Sequence, residues 1–176
     1  MKYSMLLASI VFAAACRPAV DLSKDIVLTP VTTGWADGGA VAGKNRIVPA
    51  MTFRLTNASG QPLPSVQVNA VFKRGNDPAE WTTGYVPNAS RRLEPGADTG
   101  PLTAKGLQGY TGTDDRGALL RNSLFVDAKV ELFVKSGGSR WTRIGEFPIA
   151  RRLIAEPPPP QSHTSADAQR DRGSAT

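Results

Sequence analysis

A chain of 176 residues with 40% hydrophobic content is long enough for one compact domain with a real core plus tails, and too short for several domains. Seventeen glycines and fourteen prolines favour short strands between punctuated turns over long helices. The formal net charge of +6 suits anionic partners, yet no run of Lys or Arg exceeds two residues, as at Arg91-Arg92 and Arg151-Arg152. Such spacing describes a solvated surface. Nucleic acid requires a denser basic stripe with interleaved aromatics, so no nucleic-acid partner is expected.

The chain opens with Lys2 and then the apolar run Met5 to Ala15, MLLASIVFAAA. Eleven helical residues reach about 16 Å, short of a ~30 Å hydrocarbon core, so the run reads as a secretory signal over residues 1–15 and not as a membrane span. Cys16 follows at once and is the single cysteine of the chain. A lone thiol has no internal disulfide partner and needs another use. Ala14-Ala15-Cys16 resembles the end of a bacterial lipoprotein signal, with Ala13 standing where leucine is usual. The resemblance implies acylation of Cys16, a membrane partner through that lipid, a tether over 16–24, and a periplasm-facing location in the cell envelope. Arg17, in place of an aspartate after the cysteine, points to the outer membrane.

Residues Asp25 to Thr29, continued by Val31, read as a first strand whose Pro30 places it at an edge. Gly34 to Gly39 then breaks the regularity, and Ala40 to Asn45 reads as a loop of small residues. Two organising strands follow. In Ile47 to Asn57, Ile47, Met51, Phe53 and Leu55 share one parity; in Val66 to Arg74, Val66, Val68, Ala70 and Phe72 alternate with polar neighbours. Period-two alternation predicts half-buried strands with one face in water, and the turn formers between them predict an antiparallel pair. Glu80 to Val86 reads as a strand with Trp81 and Tyr85 on one aromatic face, and Thr99 to Thr103 as a weak strand. The glycine-rich stretch 105–116 is expected to be a long exposed loop. Asp114 or Asp115 is placed to cap a short helix through Asn122. Val126 to Lys135 and Arg140 to Ile149 form a final pair, with a bulge expected near Gly145.

These elements predict an all-β, Ig-like antiparallel β-sandwich of about seven strands over 25–155, with one short helix near 115–122. Disordered termini are expected, including the proline-rich tail 156–176 that starts Glu156-Pro157-Pro158-Pro159-Pro160. The segment Phe53-Arg54-Leu55-Thr56-Asn57-Ala58-Ser59-Gly60 and the turn Leu93-Glu94-Pro95-Gly96 resemble Ig-like modules of bacterial envelope lipoproteins, including the FxLYD type. Residues 69–73, NAVFK, keep only the hydrophobic and aromatic positions of the naming motif. That resemblance concerns fold and not activity.

Chemistry is sparse. The single histidine, His163, falls in the tail, leaving no imidazole within the fold for a nucleophile–base pair, and no His/Cys cluster suggests zinc. No metal and no cofactor is expected. Asp114, Asp115, Asp127 and Glu131 are the carboxylates to weigh for a hydrolase, although Asp127 and Glu131 alternate with lysines as on a solvated face. Asn57-Ala58-Ser59 and Asn88-Ala89-Ser90 match glycosylation sequons in form. The sequence therefore reads as a non-enzymatic binding or assembly-accessory module with an envelope protein partner. An alternative is a small-ligand or glycan binder. Candidate binding residues are Trp35, Trp81, Tyr85, Arg91 and Arg92, although a tryptophan beside a glycine-rich turn more often caps a core than holds a ligand.

Overall fold

The computed structural model describes residues 20–29 and 32–155. The signal segment, Cys16, Pro30, Val31, His163 and the tail 156–176 lie outside the described residues. The elements in chain order are α1 (Leu22–Asp25), β1 (Ile26–Leu28), β2 (Thr32–Val41), β3 (Lys44–Phe53), β4 (Leu55–Asn57), β5 (Leu63–Arg74), β6 (Thr82–Leu93), β7 (Leu102–Lys105), β8 (Tyr110–Gly112), α2 (Arg116–Arg121), β9 (Ala128–Ser136) and β10 (Thr142–Pro148).

Two antiparallel sheets face each other. One has the order β2-β3-β7, with β8 also paired to β3, and the other has the order β10-β9-β5-β6. This is the A-B-E order opposed to G-F-C-C′ of an immunoglobulin-type sandwich, built from seven principal strands. The short β1 and β4 pair separately, from Ile26↔Asn57 to Leu28↔Leu55. Val66, Val68, Ala70 and Phe72 of β5 and Val130, Leu132 and Val134 of β9 meet Ile47, Met51 and Phe53 of β3 in one buried core. The bulge expected near Gly145 is present as a register shift between Arg143 and Gly145. Asp115 caps α2 by accepting the Ala118 amide, as its position predicts.

Several expectations are corrected. The loop expected at Ala40–Asn45 is a two-residue hairpin turn joining β2 to β3, with Ala42 at φ 50 and Gly43 at φ 74, the positive pair a twisted hairpin favours. Gly34 to Gly39 does not break regularity, since β2 runs through it with one register shift between Asp37 and Ala40. The stretch 105–116 is not one exposed loop. Its centre is β8, and a Cβ on Gly109 would lie 1.9 Å from the Ile47 carbonyl oxygen, so only glycine allows this approach. β6 extends to Leu93 and absorbs the expected connection, and β7 begins at Leu102. At the N-terminus, Leu22 is buried and Val20 packs against the core, so residues before Asp25 also belong to the packed body.

β3 is not half-buried. Ile47 to Met51 are all buried because each face has its own cover. The second face, Val48 and Ala50 with Ala36 of β2, packs against Ile154. That residue is held by a short parallel bridge, in which the Trp35 amide donates to the Arg152 carbonyl and the Ile154 amide to the Trp35 carbonyl.

Asn57 ties one end of the sandwich together. It is fully buried, its Nδ2 donates to the Gln61 and Leu93 carbonyls, and its Oδ1 accepts from the Ser59 amide and hydroxyl. Its backbone also bonds Ala97 and Gly96, so this side chain lies inside the fold and not at an open sequon. Stranding those groups costs about 1–3 kcal/mol. Asn57→Ala should lower the urea midpoint accordingly with an unchanged slope; a loss below about 0.5 kcal/mol would show that the knot is dispensable.

Candidate functional site

The five candidate binding residues separate into three places. Trp35 lies in β2 at 0% exposure and is a core plug, not a ligand platform. Its ring is packed by Phe125 edge-on at 4.8 Å, Tyr110 at 5.5 Å and Trp81 at 6.1 Å. Its Nε1 has no hydrogen-bond partner among the described residues. Trp81 precedes β6 instead of sitting within it, so the parity shared with Tyr85 does not hold, and its ring folds over the sandwich end against Tyr110 at 5.4 Å.

Around this aromatic end stand two cations. The Arg74 guanidinium lies 5.2 Å from the Trp81 ring centre and Arg151 lies 5.0 Å from Phe125. Arg151 also bonds Asp127, whose carboxylate raises the arginine's proton affinity. The Tyr110 hydroxyl donates to the Val126 carbonyl at 3.1 Å and accepts the Val126 amide at 3.2 Å, pinning the segment after α2. Beside these rings opens a hollow of about 180 Å³, lined by Tyr110, Thr111, Leu119, Asn122, Leu124 and Phe125. Leu124 is 83% exposed at its lip, and Leu107 is 76% exposed on the neighbouring loop, whose backbone amide donates to Thr82 Oγ1 beside Trp81. Large apolar side chains standing this far out mark a contact surface when they cluster with rings. Leu107, Leu124, Tyr110 and Phe125 were not singled out by sequence, because their proximity depends on β8 and α2 reaching the same end.

Tyr85 belongs elsewhere. It lies 54% exposed on the outer face of the four-stranded sheet, donates its hydroxyl to Gln67 Oε1, and meets Trp141 edge-on at 6.2 Å. Trp141 is 39% exposed, and Lys135 Nζ lies 5.0 Å from its ring centre. Its sequence signal was its place just after the Ser136–Ser139 turn, opposite the β9 lysine. Arg91 and Arg92 form the third place, exposed near the end of β6 remote from Trp81; Arg92 pairs with Glu94. Among the described residues Arg91 has no carboxylate partner.

The carboxylates weighed for hydrolysis are not gathered into one site. The Asp115 carboxylate caps α2 and that of Asp127 holds Arg151, while Asp114 is tied through its backbone carbonyl, which accepts Asn45 Nδ2. Glu131 sits in a ladder on the outer sheet face, 2.8 Å from Lys73 and 3.3 Å from Arg143, which also binds Glu146 at 2.8 Å. The hydrogen bond from Lys73, helped by the charges of Lys73, Arg143 and Lys129 and opposed by desolvation, holds the Glu131 carboxyl below its usual value of 4.5.

No protein-family model matches the chain, and no curated protein matches it in sequence. Among solved structures it is similar to the X-ray structure of Northeast Structural Genomics Consortium target SoR45, at 13% identity over 74% of this chain and 89% of that one, with a TM-score of 0.42. A likeness at that level carries no functional argument.

Because the folded pKa of Glu131 is depressed, its contribution to stability is present above pH 4.5 and lost as pH falls through the lower folded value. Glu131→Gln should therefore be less stable than the parent at neutral pH, and the difference should shrink on acidification. A difference that is constant across the acid limb of a denaturation series would remove Glu131 from the acid response.

Proposed function

We propose that this chain is a non-catalytic binding or assembly-accessory module of the bacterial cell envelope, lipid-anchored at Cys16 and facing the periplasm. The anchor rests on the Ala14-Ala15-Cys16 signal. The observation that carries the binding role is the apolar hollow at the aromatic end, with Leu124 and Leu107 exposed around rings that Trp35 fixes from beneath. A pocket of this kind takes an apolar side chain from a protein partner, while Arg74, over the Trp81 ring at the same end, favours an acidic flank.

The sheet edges favour the same reading. β6 is bulged, since Val66↔Ser90 is followed by Val68↔Val86, and it carries Pro87. β10 is interrupted between Arg143 and Gly145 and ends at Pro148. β2 is partly covered by the Arg152–Ile154 bridge. These three edges, blunted in these ways, resist strand addition, which favours the loop end as the surface for recognition.

Cross-linking of the anchored protein in its own cells, followed by mass spectrometry, tests the reading. Leu124→Asp and Leu107→Asp should each reduce capture of a specific envelope protein at least about tenfold, while stability stays within about 0.5 kcal/mol because both side chains are exposed. Undiminished capture by both variants would exclude this end as the binding surface.

A further inference from the structure

The chain enters the fold at the end opposite the hollow. The Ala58 amide donates to the Asp25 carbonyl just after α1, and Asn57 joins this corner to the Leu93 carbonyl. Leu63 pairs with Leu93, the Pro64 carbonyl accepts Ser136 Oγ, and the Ser65 carbonyl accepts the Gly137 amide. α1, the 58–62 turn, the Leu93–Ala97 turn and the β9–β10 hairpin therefore share one end. Trp81 and Arg74 lie at the other end of β5, where Phe72 pairs with Thr82. Val20 is four residues from Cys16, a reach of at most about 14 Å, so an anchor at Cys16 holds the first end close to the bilayer.

The side chains at that end have the composition of an interfacial surface. Trp141 is an exposed aromatic with a polar edge, Tyr85 reaches it from mid-sheet where it pairs with Asn69, and Arg140 precedes Trp141 in the hairpin. Lys24 is paired with Asp21, Arg54 with Asp98 and Arg92 with Glu94. Arg91, Lys135 and Arg140 have no carboxylate partner among the described residues. The Asp25 carboxylate has no cation there and accepts the Asp21 amide instead. Three unpaired cations against one such carboxylate leave an excess of two positive charges at this end of the domain, with Lys135 directly against the Trp141 ring. Tryptophan and tyrosine settle at the headgroup level of bilayers, and basic side chains there are drawn to anionic lipid.

We propose that Trp141, backed by Tyr85 and Lys135 and sharing its end of the domain with Arg91 and Arg140, is a lipid-contact surface that seats this end on anionic headgroups. The aromatic hollow then points away from the membrane. The inference builds on the Cys16 anchor for its biological setting, while the contact itself is measurable without it.

The test uses the full chain on vesicles of phosphatidylcholine alone or with phosphatidylglycerol, with lipids brominated near the headgroup as quenchers of tryptophan emission. Phosphatidylglycerol should produce quenching that Trp141→Phe abolishes and Trp81→Phe leaves in place. Arg91→Ala/Lys135→Ala/Arg140→Ala should weaken it at least about threefold, as should raised salt. Quenching that is absent, indifferent to phosphatidylglycerol, or removed by Trp81→Phe would overturn the proposal. So would a triple variant that keeps its quenching but loses capture of a protein or glycan. Mass analysis of the membrane-extracted chain reports the acyl group separately. A chain without acylation, added to the same vesicles from solution, would refute the anchor and still decide the lipid contact.

Discussion

Covering β3 on both faces is the constraint that the rest of the domain satisfies. One face needs the four-stranded sheet, which supplies the β5 and β9 side chains of the main core. The other needs the chain to return after β10 and lay Ile154 over Ala36, Val48 and Ala50. Burying both sides of Ile47 to Met51 removes water from that whole stretch, so its neighbours must come close. Gly109 lets the β8 segment press on Ile47, and Gly34 admits the returning chain, where a Cβ would lie 2.5 Å from Ile154 Cγ2 and 2.8 Å from the Arg152 carbonyl oxygen. Residues that look like spacers in a loop are therefore contact points.

The two ends of the sandwich solve different problems. At the end where the chain enters, buried polar groups of Asn57 lock turns together, and the adjoining surface is basic and aromatic. At the other end, rings fill the space that the strands leave open, and leucines project beyond them. With the proposed anchor at one end and the proposed recognition surface at the other, the module would present its partner site away from the membrane. The sheet faces between them carry ion pairs such as Lys73–Glu131–Arg143, which keep the intervening surface soluble.

Much of this was legible in the chain. Alternation located β5 and β9, Asp115 announced the start of α2, and the slip of parity near Gly145 announced a bulge, because each depends on residues adjacent in sequence. Trp35, a candidate binding residue from the sequence, is instead buried, in keeping with the tendency of a large ring beside glycines to close a core. What misled was local punctuation. Glycines at 106, 109 and 112 suggested a loop, and the small residues of 34–40 suggested a break, because a glycine needed for close approach has the same sequence signature as one needed for a turn.

The sequence by itself determined the class of fold, the core parity of the central strands and the helix cap, all properties of neighbours along the chain. Only the tertiary structure decided that Trp81 joins Trp35 and Tyr110 while Tyr85 joins Trp141, and that Leu124 and Leu119 meet Tyr110 and Phe125 around one hollow. These groupings arise from the pairing order of strands and the closure of the sandwich. Non-local packing brings together residues whose spacing in the chain carries no period, and so no pattern in the sequence announces them.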